Sequence, residues 1–262
     1  MKNILIAQLK QLGRGKLKYI VFMLVLLIML VNVTMFYECR DEAPFEVSAC
    51  YFIMENLFLF YTLIHIFISI SISDICAGDF SDKTFYYEIM SGQTRFNSYF
   101  SRVIIAVAFV LVGCLILVTL PLVLCTMLCG WGSFFTVRDI AVVIAISVAP
   151  LFRIICTYIC FAFIIRNTYV VMALGMGGFM LSTLTEMPFF AKAPSEILGV
   201  TSILRLCTFD IWQNYTLIKG NVPIVNVRIP LNETLSIIVW SVVFAAASLL
   251  IGYSYFKCDD LN

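Results

Sequence analysis

The chain has 262 residues, of which 62% are hydrophobic and 13% are charged. Soluble domains carry about 25% charged residues, so this composition, with a mean hydropathy of +1.00, excludes an ordinary soluble protein and indicates an integral membrane protein. The formal net charge of +1 gives no reason to expect nucleic acid as a partner.

A basic amphipathic segment, residues 1–18, opens the chain. Leu5, Leu9 and Leu12 fall on one helical face, and lysine and arginine surround them. This pattern predicts an interfacial helix on the inner leaflet of the membrane, and the alternative is a frayed tail. The following apolar run has no small-residue cleavage site after it, which favours an uncleaved anchor over a signal peptide.

Six apolar stretches are each long enough, or nearly so, to cross a bilayer as a helix of about 20 residues. In lipid the backbone must satisfy its own hydrogen bonds, so helices are expected. The stretches are residues 19–36, 51–73, 103–129, 140–165, 168–187 and 235–256. The sequence therefore predicts an all-α integral membrane protein with six transmembrane helices in a single transmembrane domain, residues 1–262.

The distribution of lysine and arginine predicts the orientation of these spans. If the N-terminus is inside, ten of the 17 basic residues lie on the inner side, six on the outer side and Arg153 within a span. Four of the six outer residues fall in one long loop, residues 188–234. The excess of lysine and arginine on the cytoplasmic side is a weak indicator for long loops. We therefore expect a multi-pass protein of the cell membrane with both termini in the cytoplasm.

Residues 74–102, DICAGDFSDKTFYYEIMSGQTRFNSYFSR, form a long polar interruption between two spans and are expected in the cytoplasm. Ser81 or Asp82 can cap a helix N-terminus, and Gly92 can end the helix in the left-handed conformation. A helix of about ten residues is marginal alone in water. Its apolar side is predicted to carry Phe85, Ile89 and Met90, with Tyr86 adjacent. Either a partner surface holds this side, or the segment packs on its own helix ends.

The order of motifs in this segment resembles that of ABC-2-type exporter permeases. These motifs are an acidic residue, a Lys-Thr pair, a helix ending in Gly-x-x-Arg and a basic start to the next span. The matching positions are Asp79, Lys83, Thr84, Gly92, Arg95 and Arg102. The basic N-terminal helix, the six spans, the long loop before the last span and the ending YSYFKCDDLN add to the resemblance, which covers nearly the whole chain.

The resemblance implies that residues 74–102 are a coupling segment seated in a cleft of a separate ABC ATP-binding subunit. The ATPase-coupling residues would be Asp79, Lys83, Thr84, Phe85, Glu88, Gly92 and Arg95. The chain has no GxxxxGK[ST] phosphate loop, so we expect no enzyme activity and no bound cofactor of its own, with ATP and Mg²⁺ held by the partner. A second copy of the chain, or a related permease, would complete the unit in the lipid bilayer.

The cargo implied by the resemblance is an amphipathic peptide, because permeases this short are similar to those that export phenol-soluble modulins, bacitracin and lantibiotics. A lipid-linked or polyketide-like molecule is the second choice. Two other classes of protein stay open. One is a non-transporting immunity or sensor subunit, and the other is an intramembrane enzyme assembled from residues distant in sequence.

Ionisable residues within the predicted spans are costly and usually functional. Glu55, His65 and Arg153 are candidates to line a substrate pathway. The alternative for His65 and Arg153 is a role in helix packing. Arg153 follows Pro150 by three residues, and the proline frees a carbonyl that the guanidinium can reach.

Two further features of the sequence are small residues within two spans and ten cysteines. Small residues permit close packing of membrane helices, and they occur in the second span as Ser69, Ser71 and Ser73 and in the fifth as Gly175, Gly177 and Gly178. A helix kink is the competing explanation for the glycines.

Cys39 and Cys50 bracket an outer acidic loop and can form a disulfide. No CxxC pair and only one histidine are present, so no metal site is expected. The loop 188–234 is expected to contain outer re-entrant or interfacial helices.

Overall fold

Helices make up almost all of the part of the chain that the structure, a computed structural model, describes: residues 2–13, 15–38, 48–81, 84–132, 136–185, 216–219, 222–225 and 231–258. Within these ranges the α-helices are α1 (Lys2–Leu12), α2 (Leu17–Glu38), α3 (Ala49–Ile72), α4 (Gly78–Ser81), α5 (Thr84–Met90), α6 (Arg95–Cys129), α7 (Val137–Ile165), α8 (Thr168–Thr185) and α9 (Leu231–Cys258). A π-helical turn, Ser73–Ala77, joins α3 to α4.

Five helical stretches among the described residues are long and apolar enough to cross a membrane. They are Leu17–Glu38, Leu59–Phe80, Arg95–Cys129, Ile140–Ile165 and Ile237–Cys258. The protein is therefore a multi-pass, membrane-embedded helical protein. Six spans were predicted, and the stretch 168–187 is the one not counted: α8 covers Thr168–Thr185, but its described apolar part, Thr168–Gly177, is shorter than a full span.

Large apolar side chains cover the outside of the bundle, as expected for a surface in contact with lipid rather than water. On α2 the exposed residues include Ile20, Met23, Leu24 and Leu27. Exposed apolar side chains also follow α6 and α9, for example Val112 and Val239. The buried core lies where α2, α3, α6, α7 and α9 meet.

Two helices pack closely at small residues, as the sequence predicts for α8. A Cβ atom built on Gly175 of α8 would lie 2.5 Å from the Cβ of Ser69 on α3. Because real Cβ atoms do not approach so closely, this crossing requires glycine. Nothing lies within 4 Å of the corresponding position at Gly177, so the close packing is specific to one of the two described glycines.

The helix α6 begins eight residues before the predicted span that starts at residue 103. Thr94 explains the difference, because its side chain accepts a hydrogen bond from the backbone N–H of Asn97 and caps the helix. Gly92 has a φ of 86°, the left-handed conformation predicted for it. The polar segment 74–102 is therefore mostly helical, and its last turns are continuous with a span.

The loop 188–234 differs from its prediction where it is described. Thr216–Lys219 (β1) and Val222–Val225 (β2) pair as an antiparallel hairpin, in which Leu217 lies opposite Ile224. The expected outer helices therefore do not include these two segments. β-branched residues in β2, which favour strands, account for the difference, and the rest of the loop up to residue 230 lies outside the described residues.

Candidate functional site: a buried charged cluster at one end of the bundle

The side chain of Arg102 is the centre of a charged cluster at the end of the bundle that carries α5. Arg102 is 1% exposed. Its Nε donates to Asp79 on α4 at 2.5 Å, and its Nη1 and Nη2 donate to the two carboxylate oxygens of Glu88 on α5 at 2.7 and 3.0 Å. The bidentate contact fixes the orientation of the guanidinium as well as its charge. One arginine thus connects α4, α5 and α6.

Phe85 anchors α5 on the same arginine from the other side. Its ring is fully buried, and the Cζ atom of Arg102 lies 3.6 Å from the ring centroid. The ring also contacts Phe80 and Phe256, with centroids 4.4 and 5.0 Å away. A cation over an aromatic face is attracted by the ring quadrupole, and the neighbouring rings exclude water. This packing holds a seven-residue helix that would be marginal alone.

The helix α1 is tied to this cluster through polar side chains. Gln11 donates to Asp79 at 2.6 Å. Beside it, the ammonium of Lys18 at the start of α2 forms an ion pair of 3.0 Å with Asp74, and Lys18 is almost fully buried. Asp74 lies in the π-helical turn, and single π-helical turns frequently occur at functional sites.

The helix α5 also has an exposed face. Tyr87 is 69% exposed and Met90 is 82% exposed, in contrast to the buried Phe85. Two large apolar side chains are therefore presented outward by a helix whose opposite side is fixed to the bundle. Among the described residues of α5, these two side chains are available for contact with another protein.

Three of the predicted coupling residues contact other parts of the chain through their side chains. Asp79 and Glu88 bind Arg102, and Phe85 packs against Phe80 and Phe256. Gly92 follows α5, and Arg95 begins α6, where its Nη1 donates to the backbone carbonyl of Lys257 at 2.7 Å. Lys83 and the side chain of Thr84 lie outside the described residues. The prediction that Phe85 and Met90 share one side of the helix is wrong, because Phe85 is buried against the bundle and Met90 is exposed. Packing within the chain therefore applies to Phe85, and not to Tyr87 and Met90.

Of the candidates within the spans, His65 and Arg153 lie on α3 and α7 and are not among the residues of this cluster. His65 is buried on α3, and its Nδ1 lies 3.2 Å from the hydroxyl of Tyr158 on α7. That hydroxyl donates to the carbonyl of Gly175 on α8, so His65 takes part in a contact of three helices. Arg153 is partly buried on α7, and the side chain of Glu55 lies outside the described residues.

A small apolar cavity of about 110 Å³ lies between α3, α6 and α7. Phe52, Tyr61, Ile64, Val118, Ser147 and Leu151 are among its lining residues. Its size is comparable to that of engineered apolar cavities of about 150 Å³ that bind benzene. The cavity can therefore accept one apolar side chain or a similar small group.

The cysteines show no metal centre within the described residues. Cys50 is buried at the start of α3, where its backbone N–H donates to the carbonyl of Trp131. Cys39 lies outside the described residues, so the pairing of Cys39 with Cys50 stays a prediction.

Sequence reasoning missed the position of Arg102 at the centre of the cluster and the pairing of Lys18 with Asp74. It assigned Arg102 only to a basic span start. One signal was available: an arginine directly before a long apolar run must find a carboxylate if it is buried. Asp79 and Glu88 are acidic residues of the same polar segment, but the distances of their carboxylates from Arg102 depend on the tertiary fold.

No family model, no curated protein and no solved structure matches the chain.

Proposed function

We propose that the chain is the permease subunit of an ABC-type exporter, driven by a separate ATP-binding subunit that contacts α5 on the cytoplasmic side. The observation that carries the proposal is the two-sided character of α5. Its inner side is fixed to the bundle by Phe85 and Glu88, and its outer side presents Tyr87 and Met90. The order of motifs in residues 74–102, which resembles that of ABC-2-type permeases, supports the same function.

The physical argument concerns how motion passes from a partner to the spans. A partner can move membrane helices only through an element that does not move independently of them. The contact of Arg102 with Asp79 and Glu88 joins α4, α5 and α6, and α6 is one of the membrane-spanning helices. A force on Tyr87 and Met90 would therefore reach α6 directly.

The experiment is purification of the tagged chain from its native cells, followed by identification of co-purifying proteins. We expect an ABC ATP-binding subunit in the eluate, and its loss when Tyr87 and Met90 are both replaced by alanine. The control is Tyr169→Ala, since Tyr169 is 82% exposed on α8. An eluate without an ATP-binding protein overturns the proposal, and a kinase or response regulator in its place favours the sensor class.

The cargo proposed is an amphipathic peptide. The cavity between α3, α6 and α7 supports it, because an apolar side chain of such a peptide matches the cavity in size and polarity. We expect amphipathic peptides to stimulate ATP hydrolysis by the purified complex. Val118→Phe, which fills the cavity, is expected to reduce the stimulation, whereas Val112→Phe, on the lipid-facing side of the same helix, leaves it unchanged.

A further inference from the structure

A second and larger cavity lies beneath α1, next to the charged cluster. Its volume is about 600 Å³, within the range of roughly 300–1,000 Å³ typical of small-molecule sites. The charged residues that line it are Lys10, Lys18, Asp74, Asp79 and Arg102, and Gln8 and Gln11 lie beside them. Lys10 is exposed and Gly15, also in the lining, is half-buried, so the cavity reaches the surface of the protein.

Gln8 is the unusual residue of this cavity. It is 5% exposed, and neither its side-chain nitrogen nor its side-chain oxygen has a hydrogen-bond partner among the described residues. Leaving a buried amide without hydrogen-bond partners is unfavourable, so such groups are rare in proteins. A ligand that both donates and accepts hydrogen bonds would satisfy this amide.

The charges in the cavity favour an anion. Lys18 is paired with Asp74, and Arg102 is paired with both Asp79 and Glu88. Lys10 has no carboxylate within 4.0 Å among the described residues. The cavity therefore offers one ammonium group and one amide that its own carboxylates do not occupy, which suits a phosphodiester.

The surroundings of the cavity favour an amphiphile over a soluble phosphate. On α1, Ile6 and Leu9 are exposed, and on α2 so are Leu17 and Ile20. On α1, Gln8 and Gln11 thus face the bundle, while Ile6 and Leu9 face outward at the end of the spans. Acyl chains can lie against these apolar residues while the headgroup enters the cavity, an arrangement typical of interfacial helices.

We propose that this cavity binds the headgroup of an anionic phospholipid, with the phosphodiester at Lys10 and a headgroup hydroxyl at the amide of Gln8. Phosphatidylglycerol has both groups. The bound lipid would hold α1 against α6, to which Gln11 is already connected through Asp79 and Arg102.

The experiment measures binding of short-chain phosphatidylglycerol to the purified full-length protein in detergent, by native mass spectrometry and by thermal unfolding. We expect Lys10→Gln to weaken binding about tenfold, since a charge-assisted hydrogen bond is lost. Lys16→Gln, an exposed lysine outside the cavity lining, is the matched control and is expected to bind normally.

Gln8→Leu separates ligand binding from folding. Replacing an unsatisfied amide by an apolar group of similar size is expected to raise the midpoint of thermal unfolding without lipid. The same change is expected to reduce the additional stabilisation by phosphatidylglycerol. A merely structural role for Gln8 would change the first quantity and leave the second unchanged.

Three further ligands decide the source of the phosphate. Inorganic phosphate and glycerol 3-phosphate are expected to bind at least tenfold more weakly than the lipid, and equal affinity would overturn the lipid assignment. Phosphatidylcholine that binds as tightly as phosphatidylglycerol would overturn the preference for an anionic lipid. Equal affinities for the Lys10→Gln, Gln8→Leu and Lys16→Gln variants would overturn the site itself.

Discussion

The guanidinium of Arg102 lies over the ring of Phe85, with the Cζ atom 3.6 Å from the ring centroid. Its nitrogen atoms simultaneously bind Asp79 and Glu88. Arg102 and Phe85 both come from the polar segment 74–102. Their contact makes this segment a packed part of the bundle. A short helix is thereby fixed on one side and exposed on the other.

Arg102→Gln is expected to lower the free energy of unfolding by about 3–5 kcal/mol, because it leaves two carboxylates next to the core without their cation. The measurement is detergent-induced unfolding of the purified protein. Arg138→Gln is the control: Arg138 is exposed near the start of α7, where a substitution usually changes stability by less than about 0.5 kcal/mol. Equal losses for the two variants would contradict the central position of Arg102.

Phe85→Ala is expected to lower stability by about 3–5 kcal/mol, as is typical when a buried phenylalanine is truncated. Tyr87→Ala, two residues away and largely exposed, is expected to change stability by less than about 0.5 kcal/mol. Unfolding curves of both variants test the contrast. A neutral Phe85→Ala would mean that this side chain faces a partner rather than the core.

Gly175→Ala is expected to destabilise the protein by about 1–3 kcal/mol, the usual effect of overpacking, because the new methyl group meets the side chain of Ser69. Gly177→Ala has open space and is expected to be neutral or slightly stabilising, since alanine favours the helix by about 1 kcal/mol. Thermal unfolding of both variants is the measurement. The double variant Ser69→Gly with Gly175→Ala should recover much of the loss, and no recovery would argue against the contact.

Tyr158→Phe removes the hydroxyl that donates to the carbonyl of Gly175 and lies 3.2 Å from His65. We expect a loss of about 1–2 kcal/mol, as for other buried hydrogen bonds. Tyr169→Phe, at an exposed position on α8, is the matched control and is expected to have no effect. If Tyr158→Phe unfolds like the unchanged protein, the contact between α3, α7 and α8 does not stabilise the bundle.

Much of the architecture follows from the sequence, because lipid requires long apolar helices and these leave a clear pattern. The spans around Met29, Val110 and Phe244 were predicted as helices and are helices in the structure. Gly92 was predicted in the left-handed conformation and has a positive φ. These features depend on local composition and backbone preference, which a single sequence contains.

The environment of each charged residue could not be predicted in the same way. The sequence by itself determined a membrane-embedded helical chain and a polar segment with a short helix near its centre. Only the tertiary structure decided that Phe85 faces the core and Tyr87 faces outward, and that Gln8 lines a cavity. The reason is that burial and ion pairing depend on residues distant in the chain, such as Phe256 and Gln11, which local periodicity does not bring together.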